Sequence, residues 1–355
     1  MKKTGLVCAL AALMLVSGSG RVATVSQESF AVTAATYEAG GTATTAKSGT
    51  VSKTTTTAAN TTATTKTSTA KASTATKTTS GTTATKSTTT TKSTTPAKVK
   101  VGEKTWKTQM IVKEFWRDGK KIYGEIYRPV GEGIFPGIII AHGFNANCNY
   151  AKAFAKELAS MGVVAYVFDF IGGGNNIKSG GSMTDMSVLT EANDFNIVFN
   201  GIRSLSYVDE KRMFVMGESQ GGFVATYIAG TRPNDVKGLI ALYPAYNLQN
   251  DSIKLMLQFG WIPDRVNFLG CTLSRKYFQD LVKFDIYKVM SNFKGKAVLV
   301  HGTADDLVPL SVSQKAVKTM SNAKLYPVNG AGHGFGVNNT AKNAAISLIK
   351  ELSNK

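Results

Sequence analysis

Cysteine is nearly absent from this chain, with three in 355 residues, at positions 8, 148 and 271. Three are too few for a disulfide framework. After removal of an N-terminal leader only Cys148 and Cys271 remain, and sequence alone does not say whether they pair. Histidine is equally scarce, at three. No Cys, His and carboxylate cluster shows metal-ligand spacing, so the expected chemistry needs no metal. The one glycine run, Gly172-Gly173-Gly174, lacks the spacing of a dinucleotide fingerprint, and Asn175-Asn176 follow where a helix should begin. It reads as a strand-end loop near a site entrance, and no cofactor is expected. Long apolar runs are missing too. The run Leu6 to Val16 has the length of a signal-peptide core and is too short to cross a bilayer. No later run is long enough to span a membrane, and nothing resembles a nucleic-acid-binding module.

Acidic residues are outnumbered 23 to 41, for a formal charge of +18. The excess is unevenly placed: residues 1–100 carry a net +10 and residues 101–355 a net +8. Met1-Lys2-Lys3 is a basic start, and small residues follow the apolar run at Ser17 to Gly20 and at Ala23, which suits a cleaved leader over 1–24. Cys8 stands too early in that run for a lipid-modified cysteine. Residues 25–100 then read as a disordered linker, with threonine at about half of positions 41–96 and almost no large apolar side chain. Such a segment cannot bury enough surface to offset the entropy of ordering it. Its spaced lysines favour an extended, solvated tether. They also leave open loose adhesion to an anionic cell wall or polysaccharide. The expected location is extracellular.

Residues 101–355 have the length of one α/β domain. Short apolar strands (137–141, 163–168, 212–216, 238–242, 297–300, 324–328) alternate with helical spacings (150–160, 188–205, 312–320, 340–352). This pattern predicts a mostly parallel sheet covered by helices on both faces. Two leading strands, 110–115 and 121–128, join through Arg117-Asp118-Gly119-Lys120, a hairpin signal. The stretch 245–290 lies between two predicted strands and is far longer than a loop. Its Phe259, Trp261, Phe268, Tyr277, Phe278 and Phe284 predict a folded cap insertion.

Five residues carry the chemistry, Gly217-Glu218-Ser219-Gln220-Gly221, set between an apolar strand and a helix. Gly-x-Ser-x-Gly in that context is a nucleophile elbow. A serine hydroxyl needs a base, and the base an orienting acid. His142 and His301 each end a strand and precede a glycine, where backbone groups would satisfy them. His333, in the flexible loop Gly330 to Phe335, is the expected base. The acid belongs on a strand-end loop between Ser219 and His333. Asp305 and Asp306 both fall there. Asp305 is favoured by the frame Gly302-x-x-Asp305-x-x-Val308-Pro309, and Asp306 suits a helix cap. The backbone N–H groups of Gln220 and Phe144 are the expected oxyanion donors.

Taken together these residues resemble the α/β-hydrolase superfamily and, more finely, the bacterial feruloyl (cinnamoyl) esterases. The resemblance covers most of 120–350. It rests on His142-Gly143-Phe144, Phe168-Asp169-Phe170, the stretch Met183 to Glu191, Met216 to Gly222, Ile262-Pro263-Asp264-Arg265, Ile286-Tyr287 and the triad loops. It implies an α/β-hydrolase fold with the 245–290 insertion as a cap over the acyl pocket. It further implies that Asp251, Gln258 and Tyr277 hold ring hydroxyls of the acid. The substrate would be a feruloylated polysaccharide or oligosaccharide of plant cell wall. Fold and triad leave open a general carboxylesterase or a peptidase on the same scaffold. A surface-binding protein with an inactive hydrolase domain is the remaining alternative, and the intact Ser, Asp and His weigh against it.

Overall fold

The computed structural model describes residues 96–355 and three short strands, Leu13–Val16, Arg21–Val25 and Val32–Thr36. Those three pair with a hairpin of the cap, Arg265–Phe268 with Cys271–Ser274, in a five-stranded antiparallel sheet. Cys8 and most of the linker expected over 25–100 lie outside the described residues.

The main sheet has eight strands: β1 (Thr108–Val112), β2 (Gly124–Pro129), β3 (Phe135–Ala141), β4 (Val164–Phe168), β5 (Val208–Glu218), β6 (Gly238–Leu242), β7 (Lys296–Gly302) and β8 (Ala323–Val328). Their spatial order is β8-β7-β6-β5-β3-β4-β2-β1. β2 runs antiparallel to both neighbours, and the other pairs are parallel. The helices are α1 (Lys152–Ser160), α2 (Val188–Arg203), α3 (Ser219–Thr231), α4 (Leu248–Phe259), α5 (Arg275–Leu281), α6 (Ile286–Met290), α7 (Leu310–Thr319) and α8 (Asn339–Ser353).

Side chains alternate along each central strand, and the two faces bury separate cores. Ile139, Tyr166, Phe168, Val215, Leu239 and Leu299 pack with α2, α3, α6 and α7. Ile138, Ile140, Val167, Phe214, Ile240 and Val300 pack with α1 and α8. This is why β3 and β4 read as unbroken apolar runs: neither face meets water. α2 starts where a capping box forms, with Ser187 Oγ accepting from Thr190 N–H and Thr190 Oγ1 from Ser187 N–H.

The leading hairpin forms at Asp118-Gly119, both at positive φ, but its strands divide. Phe115–Arg117 pairs with Lys120–Ile122, and Thr108–Val112 continues separately against Gly124–Pro129. The cap over 245–290 is α4, the Arg265–Ser274 hairpin, α5 and α6. Cys148 and Cys271 are buried free thiols, so the pairing left open by the sequence does not occur.

Candidate active site

The parallel strands deliver every predicted catalytic residue to their carboxyl ends, around the point where chain order reverses between β3 and β5. Ser219 follows β5 at the first position of α3, with φ +49°, a left-handed conformation that costs a non-glycine residue about 1–2 kcal/mol. Close approach of the strand to the helix holds it there. A Cβ on Gly217 would stand 2.2 Å from the Gly221 carbonyl oxygen, against backbone that cannot yield. Gly217→Ala is therefore expected to destabilise the fold by about 3 kcal/mol, read as a lower urea midpoint at unchanged slope.

His333 lies in the loop after β8. Its Nε2 is 2.9 Å from Ser219 Oγ and its Nδ1 2.8 Å from Asp305 Oδ2. Asp305 sits in the loop after β7, and the two loops are stapled together. Ala304 N–H donates to Ala331 O at 3.0 Å, Thr303 N–H to Val328 O at 3.0 Å, and Gly330 N–H to Thr303 Oγ1 at 2.9 Å. Of the two adjacent carboxylates it is thus Asp305 that meets His333. Its other oxygen accepts from Leu307 N–H at 3.1 Å and Val308 N–H at 2.8 Å. Burial alone would raise its pKa. Hydrogen bonds from His301, His333 and the Val308 N–H outweigh that, and the carboxyl is held well below the usual carboxylate range.

His301 does more than the sequence reading gave it. Its Nε2–H donates to Val308 O at 2.8 Å, as a turn histidine would, and also faces Asp305 Oδ2 at 3.3 Å. Ser313 Oγ lies 2.7 Å from Nδ1, and with Nε2 as donor the serine hydroxyl donates there. The spacing of His301 four residues before Asp305 was the only sequence signal. His142 behaves as expected, its Nδ1 on Gly143 O at 2.7 Å and its Nε2 accepting from Phe170 N–H at 3.1 Å.

The loop bearing Phe144 is tied to the glycine run. Asn145 N–H donates to Gly173 O at 3.1 Å, Asn175 N–H to Asn145 Oδ1 at 3.0 Å, and Asn145 bridges Gly174. These bonds hold the backbone directly after Phe144. Gln220 is the second residue of α3, directly after the serine, as an oxyanion donor requires.

The three residues implied as ring-hydroxyl contacts are placed differently from one another. Tyr277 is wholly buried. Its hydroxyl donates to Gln220 Oε1 at 2.6 Å, and Gln220 Nε2 donates on to Glu191 Oε2 at 2.8 Å. Burial raises Glu191 well above the usual carboxylate range. The Tyr277 ring stands with Phe144 and Phe268 at centroid distances of 6.3 and 6.0 Å, an aromatic wall shared by cap and oxyanion loop. Asp251 is half-buried on α4, raised by burial, and accepts from Asn247 Nδ2 at 2.9 Å. Gln258 lies at the exposed end of α4. Asn247 is a residue the sequence reading missed. Its Oδ1 is buried with no hydrogen-bond partner, beside Asp251 and the acid loop.

Residues 136–278 match the family described as serine aminopeptidase, S33. An uncharacterized protein of Mycobacterium tuberculosis (strain ATCC 25618 / H37Rv) is 23% identical over 218 residues, which is 61% of this chain and 69% of that one. Est1E from Butyrivibrio proteoclasticus with ferulic acid bound superposes with a TM-score of 0.59 at 24% identity, over 67% of this chain and 96% of that one. An acetyl xylan esterase from Paenibacillus sp. R4 gives a TM-score of 0.53 at 19% identity, over 69% of this chain and 89% of that one. With the strand order and the placement of the elbow, these likenesses show that the chain has an α/β-hydrolase fold.

Proposed function

We propose that the chain is an exported serine esterase that releases hydroxycinnamic acids, ferulate among them, from esters on plant cell-wall polysaccharide. The observation that carries the chemistry is the continuous hydrogen-bonded line from Ser219 Oγ through His333 to Asp305. Ser219 Oγ bonds to the ester carbonyl carbon while its proton passes to His333 Nε2. The oxyanion is met by the N–H groups of Phe144 and Gln220, each worth about 10²–10³ in rate in such sites. Collapse breaks the bond to the sugar oxygen, which leaves with the proton held on His333. Water, deprotonated by His333, then attacks the acyl-enzyme, and the acid departs as the serine takes its proton back. Asp305, ionised throughout, orients the imidazole and stabilises its cation.

The acyl class is supported by the aromatic wall of Phe144, Phe268 and Tyr277 and by the polar pair Asn247 and Asp251 at one end of the cap. A planar ring fits the first and a ring hydroxyl the second. Likeness to Est1E carrying ferulic acid points the same way. Export and loose wall association rest on the leader and the basic linker.

The test is hydrolysis of methyl ferulate by the purified protein beside p-nitrophenyl acetate and an aminoacyl p-nitroanilide, the last because the matching family is described as an aminopeptidase. kcat/KM highest on methyl ferulate is the expected result. Preference for the anilide would replace the esterase reading by the peptidase one. Asp251→Ala is expected to raise KM for methyl ferulate about tenfold, the loss of one buried hydrogen bond to substrate, and to leave the acetate unchanged within about twofold.

A further inference from the structure

The residue before the nucleophile is a glutamate, and nothing in the triad requires one. Glu218 ends β5 with its side chain buried, at 8% exposure. Four elements face it. From the turn after β6, the Tyr243 hydroxyl donates to Glu218 Oε2. From the turn after β3, the backbone of Gly143 packs against the same side chain, where a Cβ would stand 3.7 Å from Glu218 Cγ. Tyr150, from the single turn Cys148–Ala151, lies within its field while its own hydroxyl donates to Ala141 O at 2.8 Å. From the loop after β8, His333 lies within electrostatic reach. Among the described residues no lysine or arginine pairs with Glu218.

Tyr243 extends the connection. Its ring packs edge-on against the His333 imidazole, centroids 4.9 Å apart, and against Phe335 at 4.6 Å. Its hydroxyl oxygen accepts from Gly336 N–H at 3.3 Å. Its backbone sits at φ +34°, a strained position for a tyrosine. The groups facing His333 are then Ser219, Asp305, Tyr243 and, through Tyr243, Glu218. The loops of the nucleophile, the oxyanion and the base all meet at one carboxyl.

A buried carboxylate without a cation is costly in the resting enzyme. The cost falls when a positive charge forms nearby, and in a triad that charge appears on the histidine only as the transition state is approached. An interaction stronger there than in the ground state raises kcat rather than lowering KM. We infer that Glu218, with Tyr243, is a positioning residue of the hydrolytic site, which holds the His333 loop against the elbow and stabilises the imidazolium formed during acyl transfer. This rests on the serine-hydrolase reading of the site.

Glu218→Gln keeps the shape and removes the charge. On p-nitrophenyl acetate it is expected to lower kcat about tenfold with KM within about twofold. Imidazolium is harder to form without the carboxylate, so the acid limb of kcat/KM moves to lower pH by about half a unit or more. Tyr243→Phe keeps the ring and the charge but takes a donor from the carboxylate. Glu218 is then neutral up to a higher pH, as glutamine is at every pH, and the acid limb again moves downward, by less. A graded displacement in one direction across the two variants is what a purely structural role would not produce.

The second readout needs no turnover. With only three histidines in the chain, and His142 and His301 wholly buried, the His333 ring resonance can be followed by NMR in wild type and in Glu218→Gln. A lower titration midpoint in the variant is expected. Superimposable NMR titrations and pH profiles, or a loss of Tm with both unchanged, would overturn the inference. If Ser219→Ala retained activity, the serine-hydrolase reading would fail, and the NMR titration would still decide whether Glu218 and His333 are coupled.

Discussion

Ser219→Ala lowers kcat on p-nitrophenyl acetate and methyl ferulate by at least about 10⁴-fold, with substrate affinity little changed. The magnitude follows from what is removed. Without Oγ no acyl-enzyme forms, and His333 can only activate water in a site built for attack from the elbow. What remains is binding and the Phe144 and Gln220 donors, which leave a residual acceleration of about 10³–10⁴ over water in comparable triads. The fold is not expected to suffer. Alanine meets the same left-handed strain at φ +49° as serine, and the lost hydrogen bond to His333 is half-exposed. Tm within about 3 °C of wild type accompanies the loss of activity. Wild-type turnover in this variant would remove Ser219 from the mechanism, and a collapsed Tm would leave the loss of turnover without chemical meaning.

The parts of the site legible in sequence are those where local chemistry fixes the answer. A serine between glycines at a strand-to-helix junction can be seen because the close packing excludes a Cβ at Gly217 and at Gly221. With three histidines, the base was found by asking which one had no backbone role. The acid was found as an aspartate in a strand-end loop between serine and histidine. The alternation of apolar strands and amphipathic helices gave the sheet for the same reason, since both periods are short-range. What was hidden depends on distant partners. Gln220 is read as an oxyanion donor through its backbone, yet its side chain also joins Tyr277 to Glu191, 57 residues later and 29 earlier. No local pattern encodes that chain. The cap hairpin was missed for a different reason. Its turn is Leu269-Gly270, with φ +50° and +78°, the conformation that Asp118-Gly119 announces openly. Leucine is a poor signal for it, because a bulky non-glycine residue seldom adopts left-handed backbone. The leading strands were seen but fused, because the change of partner between Phe115–Arg117 and Thr108–Val112 is a matter of tertiary pairing.

Asp305→Asn is the second large effect, with kcat falling by about 10³–10⁴-fold and KM near wild type. The asparagine is isosteric, so the two bonds from Leu307 N–H and Val308 N–H to Oδ1 survive. What changes is the atom facing His333 Nδ1 at 2.8 Å. An amide oriented to keep the loop bonds presents NH₂ to the imidazole, which must then accept at Nδ1 and carry its proton on Nε2. The base is thereby turned away from Ser219 in the wrong tautomer, and the imidazolium loses its counter-ion. The same substitution has a readable effect on stability, whose sign follows from the direction of the shift. Asp305 is held below its unfolded pKa, which is about 3.9, so its charge contributes stability fully above that value and loses it as pH falls toward the folded pKa. The neutral variant lacks this contribution at every pH. The gap in unfolding free energy between wild type and Asp305→Asn is therefore widest from about pH 5 upward and narrows on acidification below about pH 4. Urea denaturation of both proteins at pH 7, 5 and 3 measures it. A gap that stays constant across that range would mean that the carboxylate is not preferentially ionised in the folded protein, and would undo the electrostatic account of why Asp305, rather than its neighbour Asp306, serves the histidine.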